Sequence, residues 1–192
     1  MSVIPRPASQ HFASSPPFYL SPFDNLFAPM VATWTVDDAE LFLVAPKTLP
    51  PLTTAKVVAW PGRDGHPLLL CNETEEQPLG YIELNPMPGE PAHLWVGHCL
   101  IRPDRRGAGL GRVMVSLALD QAFTFRSAER VSLVVFPYNR KAMTCYSAAG
   151  FLQEGEQTKY FSTTRKRHTM LQMSIDLRRY RALKRENEEA QQ

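Results

Sequence analysis

The stretch Arg102-Pro103-Asp104-Arg105-Arg106-Gly107-Ala108-Gly109-Leu110-Gly111-Arg112 constrains this chain most, because glycines at three alternate positions run directly into the apolar segment Val113 to Leu119. Where such a turn opens a helix, several backbone N–H groups converge with no side chain between them and whatever approaches. Those amides have no intrahelical acceptors, and the helix dipole adds partial positive charge at the same end. The turn is therefore an anion cradle, deepened by Arg105, Arg106 and Arg112. Its spacing excludes two familiar phosphate loops. Arg112 stands where the third glycine of G-x-G-x-x-G belongs, and no Gly-Lys-Ser/Thr follows.

A second stretch follows at a short interval. Val131-Ser132-Leu133-Val134-Val135-Phe136 is a continuous β-branched and apolar run, the pattern of a strand covered on both faces. Pro137 ends it. Asn139 to Phe151 then reads as a short helix with an Asn start and a Gly150 stop.

Together, Arg106-x-x-Gly109-x-Gly111 and Asn139-x-x-Ala142-x-x-x-Tyr146-x-x-x-Gly150-Phe151 resemble the GNAT superfamily of N-acetyltransferases. That resemblance implies an α/β (α+β) single domain: a mixed, twisted, mostly antiparallel sheet flanked by helices, spanning residues 31–177. It implies acetyl-CoA as cosubstrate and no metal, with the cofactor in the cleft between strands ending near Ile101 and Phe136. Its pyrophosphate would lie on Arg105, Arg106, Gly107, Ala108, Gly109, Leu110, Gly111 and Arg112. Its pantetheine arm would run along Cys99, Leu100 and Ile101, with Asn139 and Tyr146 completing the cofactor site. Tyr146 stands at the position that serves many family members as general acid. Family members also place their variable acceptor-binding helices where Asp37 to Trp60 lie here.

Composition sets the outer limits. A chain of 192 residues with 44% hydrophobic residues buries one core, and a formal net charge of +2 is too small for a general nucleic-acid binder. Cys71, Cys99 and Cys145 are odd in number and lack C-x-x-C spacing, so neither a disulfide framework nor a zinc site is indicated. With no basic start and apolar core of a signal peptide, and no membrane-spanning apolar run, a cytoplasmic location is expected.

In chain order, residues 1–30 read as a Pro- and Phe-rich arm, interrupted by Pro5, Pro7, Pro16, Pro17, Pro22 and Pro29. Its aromatics, Phe12, Phe18, Tyr19, Phe23 and Phe27, leave two readings open: part of the arm packs on the body or on a second copy in a homodimer, or it is disordered with local contacts. Thr35 to Val44 and Thr53 to Trp60 read as helices. Pro67 to Asn72 and Leu79 to Leu84 read as a hairpin, and His93 to Ile101 as the strand feeding the cradle. Gly97 within it predicts a bulge or a close backbone approach, which the resemblance assigns to the acetyl group and pantetheine arm. Glu156 to Ser162 and His168 to Leu177 read as strands around the basic turn Arg165-Lys166-Arg167, which either meets an acidic substrate or is a solvated tip. Residues 178–192 read as a charged tail or frayed helix.

Acetyl transfer to an amine requires a bound donor, a neutral amine, an oxyanion partner and a proton for the departing thiolate. Thiol and phenol pKa values of ~8.5 and ~10 make Tyr146 a fitting proton source. A lysine amine is neutral in roughly one molecule in 2,500 at pH 7, an α-amine in about one in ten, so a lysine acceptor needs a base far more. The glutamate that some family members carry on the strand before the cradle is replaced by Trp95. His98 and Glu83 remain as candidate bases, acting directly or through water, with a backbone N–H near Cys99 or Leu100 for the oxyanion. The acceptor is a protein or peptide N-terminus or a small-molecule amine. The rival readings are a non-catalytic acetyl-CoA-binding module and, more weakly, an RNA-associated protein.

Overall fold

The computed structural model describes residues 18–190. Its centre is a seven-stranded sheet in the order β1-β2-β3-β4-β5-β7-β6. The strands are β1 (Phe18–Pro22), β2 (His66–Asn72), β3 (Gly80–Met87), β4 (Glu90–Ile101), β5 (Arg130–Val135), β6 (Leu152–Phe161) and β7 (Lys166–Asp176). Every neighbouring pair is antiparallel except β4 and β5. The mixed, mostly antiparallel sheet flanked by helices is thus observed.

Side-chain alternation divides the molecule into layers. Leu68, Leu70, Ile82 and Leu84 turn to one face, where they pack with Met114, Val115 and Ala118 of α4 (Leu110–Asp120) and with Tyr146 of α5 (Arg140–Ala148). Leu69, Cys71 and Tyr81 turn to the other. They pack there with Trp34, with Val31 of α1 (Ala28–Val31) and with Val57 of α3 (Thr54–Ala59). In α4 the buried positions recur as Leu110, Met114, Val115, Ala118 and Leu119, one stripe at helical period. Helix α2 (Asp38–Val44) contributes Phe42 and Leu43 to a third, smaller cluster with Phe136, Phe161 and Met170.

Two irregularities shape the centre of the sheet. The parallel ladder joins only His93 to Arg130, Leu94 to Val131 and Trp95 to Ser132. Beyond it, β4 continues to Ile101 along β3 while β5 follows β7, so the two strands part and leave a cleft between their C-terminal ends. Within β4, Ile82 pairs with Cys99 but Leu84 with Val96, so Gly97 and His98 together stand opposite the single residue Glu83. This bulge explains why Val96 and Cys99, three positions apart, both reach the α4 side of the sheet.

Several boundaries differ from those expected. Residues 1–17 lie outside the described residues, but from Phe18 onward the expected arm is built into the body. Leu20 and Ser21 are buried in edge strand β1, and Ala28 and Val31 in the opposite-face core. Pro22 sits at the strand's end and Pro29 in the first turn of α1, where proline's missing N–H costs nothing. Between β3 and β4 the chain reverses tightly at Gly89 (φ 78°), and the strands run through Pro86 and Pro91 at their ends. Of the two readings of residues 178–192, the helix is the one observed: α6 (Leu177–Glu189) is capped by Asp176 and docked through Tyr180, which stacks on Phe123 at 4.7 Å and donates to Asp120 at 2.7 Å.

Candidate active site

The cradle is formed where β4 ends. A 3-10 turn over Pro103–Arg105 leads to Gly107 and Gly109, both left-handed at φ 80° and 78°, and α4 starts at Leu110. That conformation is why these two positions are glycine, since a Cβ on either would meet no atom within 4 Å. Gly111 is confined instead, because a Cβ there would lie 3.4 Å from the Cys145 sulfur. Among the described residues, the amides of Gly107, Ala108, Gly109, Leu110 and Gly111 have no backbone acceptor, and Gly109 caps α4 with no side-chain bond. Open space above a run of free amides at a helix start fits a diphosphate.

The arginines behave differently from the expectation that all three deepen the cradle. Arg105 bonds Glu75 at 2.9 Å. Arg106 donates to the carbonyls of Ile101 at 3.0 Å and Trp34 at 2.6 Å, and pairs with Glu40 at 2.6 Å. Glu40 is itself fixed in a capping box, since Asp37 accepts from its amide at 2.7 Å and it accepts from the Val36 amide at 2.8 Å. Arg106 therefore laces the turn to the α1–α2 segment, and Arg112 alone of the three carries no such partner among the described residues. Asn139 likewise serves as the N-cap of α5, accepting from the Ala142 amide at 3.3 Å.

Helix α5 presents Tyr146 to β4 from the α4 side. The phenol is buried beside the Cys99 thiol. Burial, then the neighbouring Cys99 and Cys145, push its pKa well above the ordinary phenol value, so it is protonated at neutral pH. Burial also pushes the Cys99 thiol up to about 12.

On the other face, the bulge assembles a polar cluster inside an aromatic wall. Glu83 is 1% exposed. One carboxylate oxygen accepts from the Tyr81 hydroxyl at 2.7 Å and meets His98 Nδ1 at 2.9 Å, and the other accepts from Asn85 Nδ2 at 3.0 Å. Burial alone would raise the carboxyl pKa, but the bonds and charge of His98, together with Tyr81 and Asn85, outweigh it and hold it below the usual range. With Nδ1 donating to a carboxylate, Nε2 is the basic nitrogen of the neutral His98 ring. Trp60 stacks on that ring at 4.3 Å and is held by its own Nε1–H donating to Thr48 at 3.0 Å. Gly97 allows this arrangement. A Cβ there would stand 2.6 Å from both Glu83 Oε2 and Asn85 Nδ2, so the close approach is to the carboxylate.

The structure thus brings Glu83 and His98 together, and Tyr146 and Cys99 together, on opposite faces of β4 beside the cleft. Tyr81, Asn85, Trp60 and Thr48 are additions to the residues singled out from sequence. The signal for the first two was present, since Tyr81-x-Glu83-x-Asn85 puts polar groups on one face of a strand whose pattern is otherwise apolar. Among the described residues there is no group of three or more His, Cys, Asp or Glu that would hold a metal, and no helix long and apolar enough to cross a membrane.

Comparison with known proteins bears on the family and the fold. Residues 24–151 match the model of the acetyltransferase (GNAT) family. A spermidine N(1)-acetyltransferase from Vibrio cholerae serotype O1 is 34% identical over 62 residues, covering 32% of this chain and 36% of that protein's length. Among solved structures, the spermidine N-acetyltransferase from Vibrio cholerae in complex with CoA and spermine superposes with a TM-score of 0.70 at 17% identity, covering 85% of this chain and 98% of that one. AAC(6')-Ib in complex with parmomycin and acetyl-CoA does so with a TM-score of 0.66 at 17% identity, covering 85% and 96%.

Proposed function

The chain belongs to the acetyltransferase (GNAT) family, and from that premise we propose that it transfers the acetyl group of acetyl-CoA to a primary amine, with His98 as base and Tyr146 as acid. The observation that carries this reading is the buried Glu83 carboxylate fixing His98 at the β4 bulge while Tyr146 stands behind Cys99 on the opposite face. Acetyl-CoA, when bound, supplies the activated thioester.

Each residue then has one task. The amides from Gly107 to Gly111 hold the diphosphate, and the cleft-facing backbone of β4 from Cys99 to Ile101 receives the pantetheine arm. His98 Nε2 takes a proton from the incoming ammonium, and Glu83, already bonded at Nδ1, stabilises the imidazolium that results. Tyr146, protonated at neutral pH because it is buried, returns a proton to the departing sulfur. An α-amine, a tenth neutral at pH 7, makes small demands on a histidine base.

The test is His98→Gln. A fall in kcat/KM of about 10²–10⁴ with unchanged acetyl-CoA affinity is expected. An unaltered kcat/KM would remove His98 from the reaction. Tight CoA binding with no CoA release from any amine would mark a non-catalytic binding module instead.

A further inference from the structure

The basic hairpin tip between β6 and β7 is not a free-standing turn. Thr163 Oγ1 donates to the carbonyl of Pro46 at 2.6 Å, and His168 lies 4.8 Å from the ring of Phe42 on α2. Lys47 follows Pro46 directly, and the next residue, Thr48, anchors the Trp60 that covers His98. One short loop therefore touches the hairpin at one end and the wall of the proposed base at the other. Following those contacts and two Cα steps of ~3.8 Å gives a path on the order of 20 Å from the tip to His98, which the straight-line separation does not exceed.

Lys47, Arg165, Lys166 and Arg167 are all exposed on this rim. Among the described residues none of the four has a carboxylate partner. The acids of α2 do not neutralise them. Asp37 and Asp38 stand at the opposite end of that helix, ~10 Å away, and Glu40 is engaged by Arg106. Lys56, nearby, is turned inward onto the carbonyls of Leu49 and Pro51. On β6, Lys159 lies closer to the tip than Glu156 does. Four uncompensated positive charges on one side of the amine's approach repel a polycation and attract an anion.

Resting on the proposed reaction, we propose that the acceptor is an acidic peptide presented by its α-amino end, with carboxylates several residues from the amine lying on the rim of Lys47, Arg165, Lys166 and Arg167. A peptide reaches both ends of this path: at ~3.3–3.6 Å per extended residue, up to about six residues join His98 to the far side of the rim. The polyamines named for the Vibrio cholerae proteins would meet like charge here.

The experiment compares CoA release with three acceptors, each with a free amine: a hexapeptide acidic at positions three to six, the same peptide with lysines there, and spermidine. Wild-type protein is set beside Lys166→Glu/Arg167→Glu and, separately, Lys47→Glu. Arg165, which sits at the reversal itself with φ 54°, is left alone. For the wild type, kcat/KM for the acidic peptide should exceed that for the lysine peptide by at least about tenfold, shrinking between about 0.05 and 0.5 M salt. The double variant should abolish or invert the preference while the acetyl-CoA KM and the melting temperature stay unchanged. Turnover with no charge preference, a preference for spermidine, or a preference untouched by both variants would overturn the acidic-acceptor assignment and leave acetyl transfer standing. No turnover with any amine would overturn the reaction itself.

Discussion

Gly97→Ala tests the geometry on which the proposed base depends. Its φ is ordinary, so alanine is not strained there, and in open space the replacement would stabilise the protein by about 0.4–1 kcal/mol through the unfolded chain. The space is not open. The added methyl would lie 2.6 Å from Glu83 Oε2 and Asn85 Nδ2 and 3.0 Å from Glu83 Cβ. The first two atoms end side chains that swing elsewhere only by breaking hydrogen bonds to a buried carboxylate, worth about 1.5–3 kcal/mol for a charged partner. Glu83 Cβ is fixed to the strand, so yielding there means moving β3 from β4, an overpacking cost of about 1–3 kcal/mol. Taking the clash at about 2–3 kcal/mol and subtracting the unfolded-state gain of about 0.4–1 kcal/mol leaves a net loss of about 1–2.6 kcal/mol. That is roughly a five- to eighty-fold rise in the unfolding constant. Urea denaturation of both proteins should show a lower midpoint at unchanged m-value, with acetyl-CoA affinity preserved because the cradle lies beyond the far end of β4. A variant as stable as the wild type, or more so, would show that Glu83 does not cross over residue 97, and the placement of His98 would fall with it.

Two further outcomes follow from the same site. Tyr146→Phe removes the proposed proton donor but not the ring packing, so kcat should fall by about 10²-fold or more with little change in acetyl-CoA KM; steady-state kinetics with CoA release as readout would expose an unaltered kcat. Because the Glu83 carboxyl lies below its usual range in the folded protein, its ionisation contributes stability fully present above the unfolded carboxylate pKa of ~4.3 and lost as pH falls through the folded value. The stability gap between wild type and Glu83→Gln should accordingly be widest near neutrality and narrow below about pH 4 in urea titrations, and a gap independent of pH would contradict this ionisation.

What was legible in the chain was whatever local chemistry alone decides. Alternate glycines before an apolar helix, a β-branched strand ended by Pro137, and an Asn cap with a Gly stop each have one local solution, and the cradle, β5 and α5 formed where these signals lay. The partners of those signals were hidden, because pairing is decided across the sheet. Nothing in the neighbourhood of Arg106 announces that its guanidinium serves Trp34 and Glu40, more than sixty residues earlier. The prolines near Phe18 masked an edge strand, since a strand bonded on one side tolerates them. Glu83 and His98 stood out as ionisable groups on strands, but their contact depends on a one-residue slip in register that spacing alone does not reveal.

The bulge at Gly97 and His98 has a consequence for traffic. In the reaction proposed above, His98 on one side of the sheet and Tyr146 on the other would make β4 a partition with separate doors: the amine would arrive and leave by the α3 side, the coenzyme by the cleft and the α4 side. Neither would have to depart before the other enters, so both would be held at once and the acetyl group would have no reason to rest on the protein in between. Initial-rate plots for such a machine converge, and the order of arrival is set by whichever doorway is slower to open.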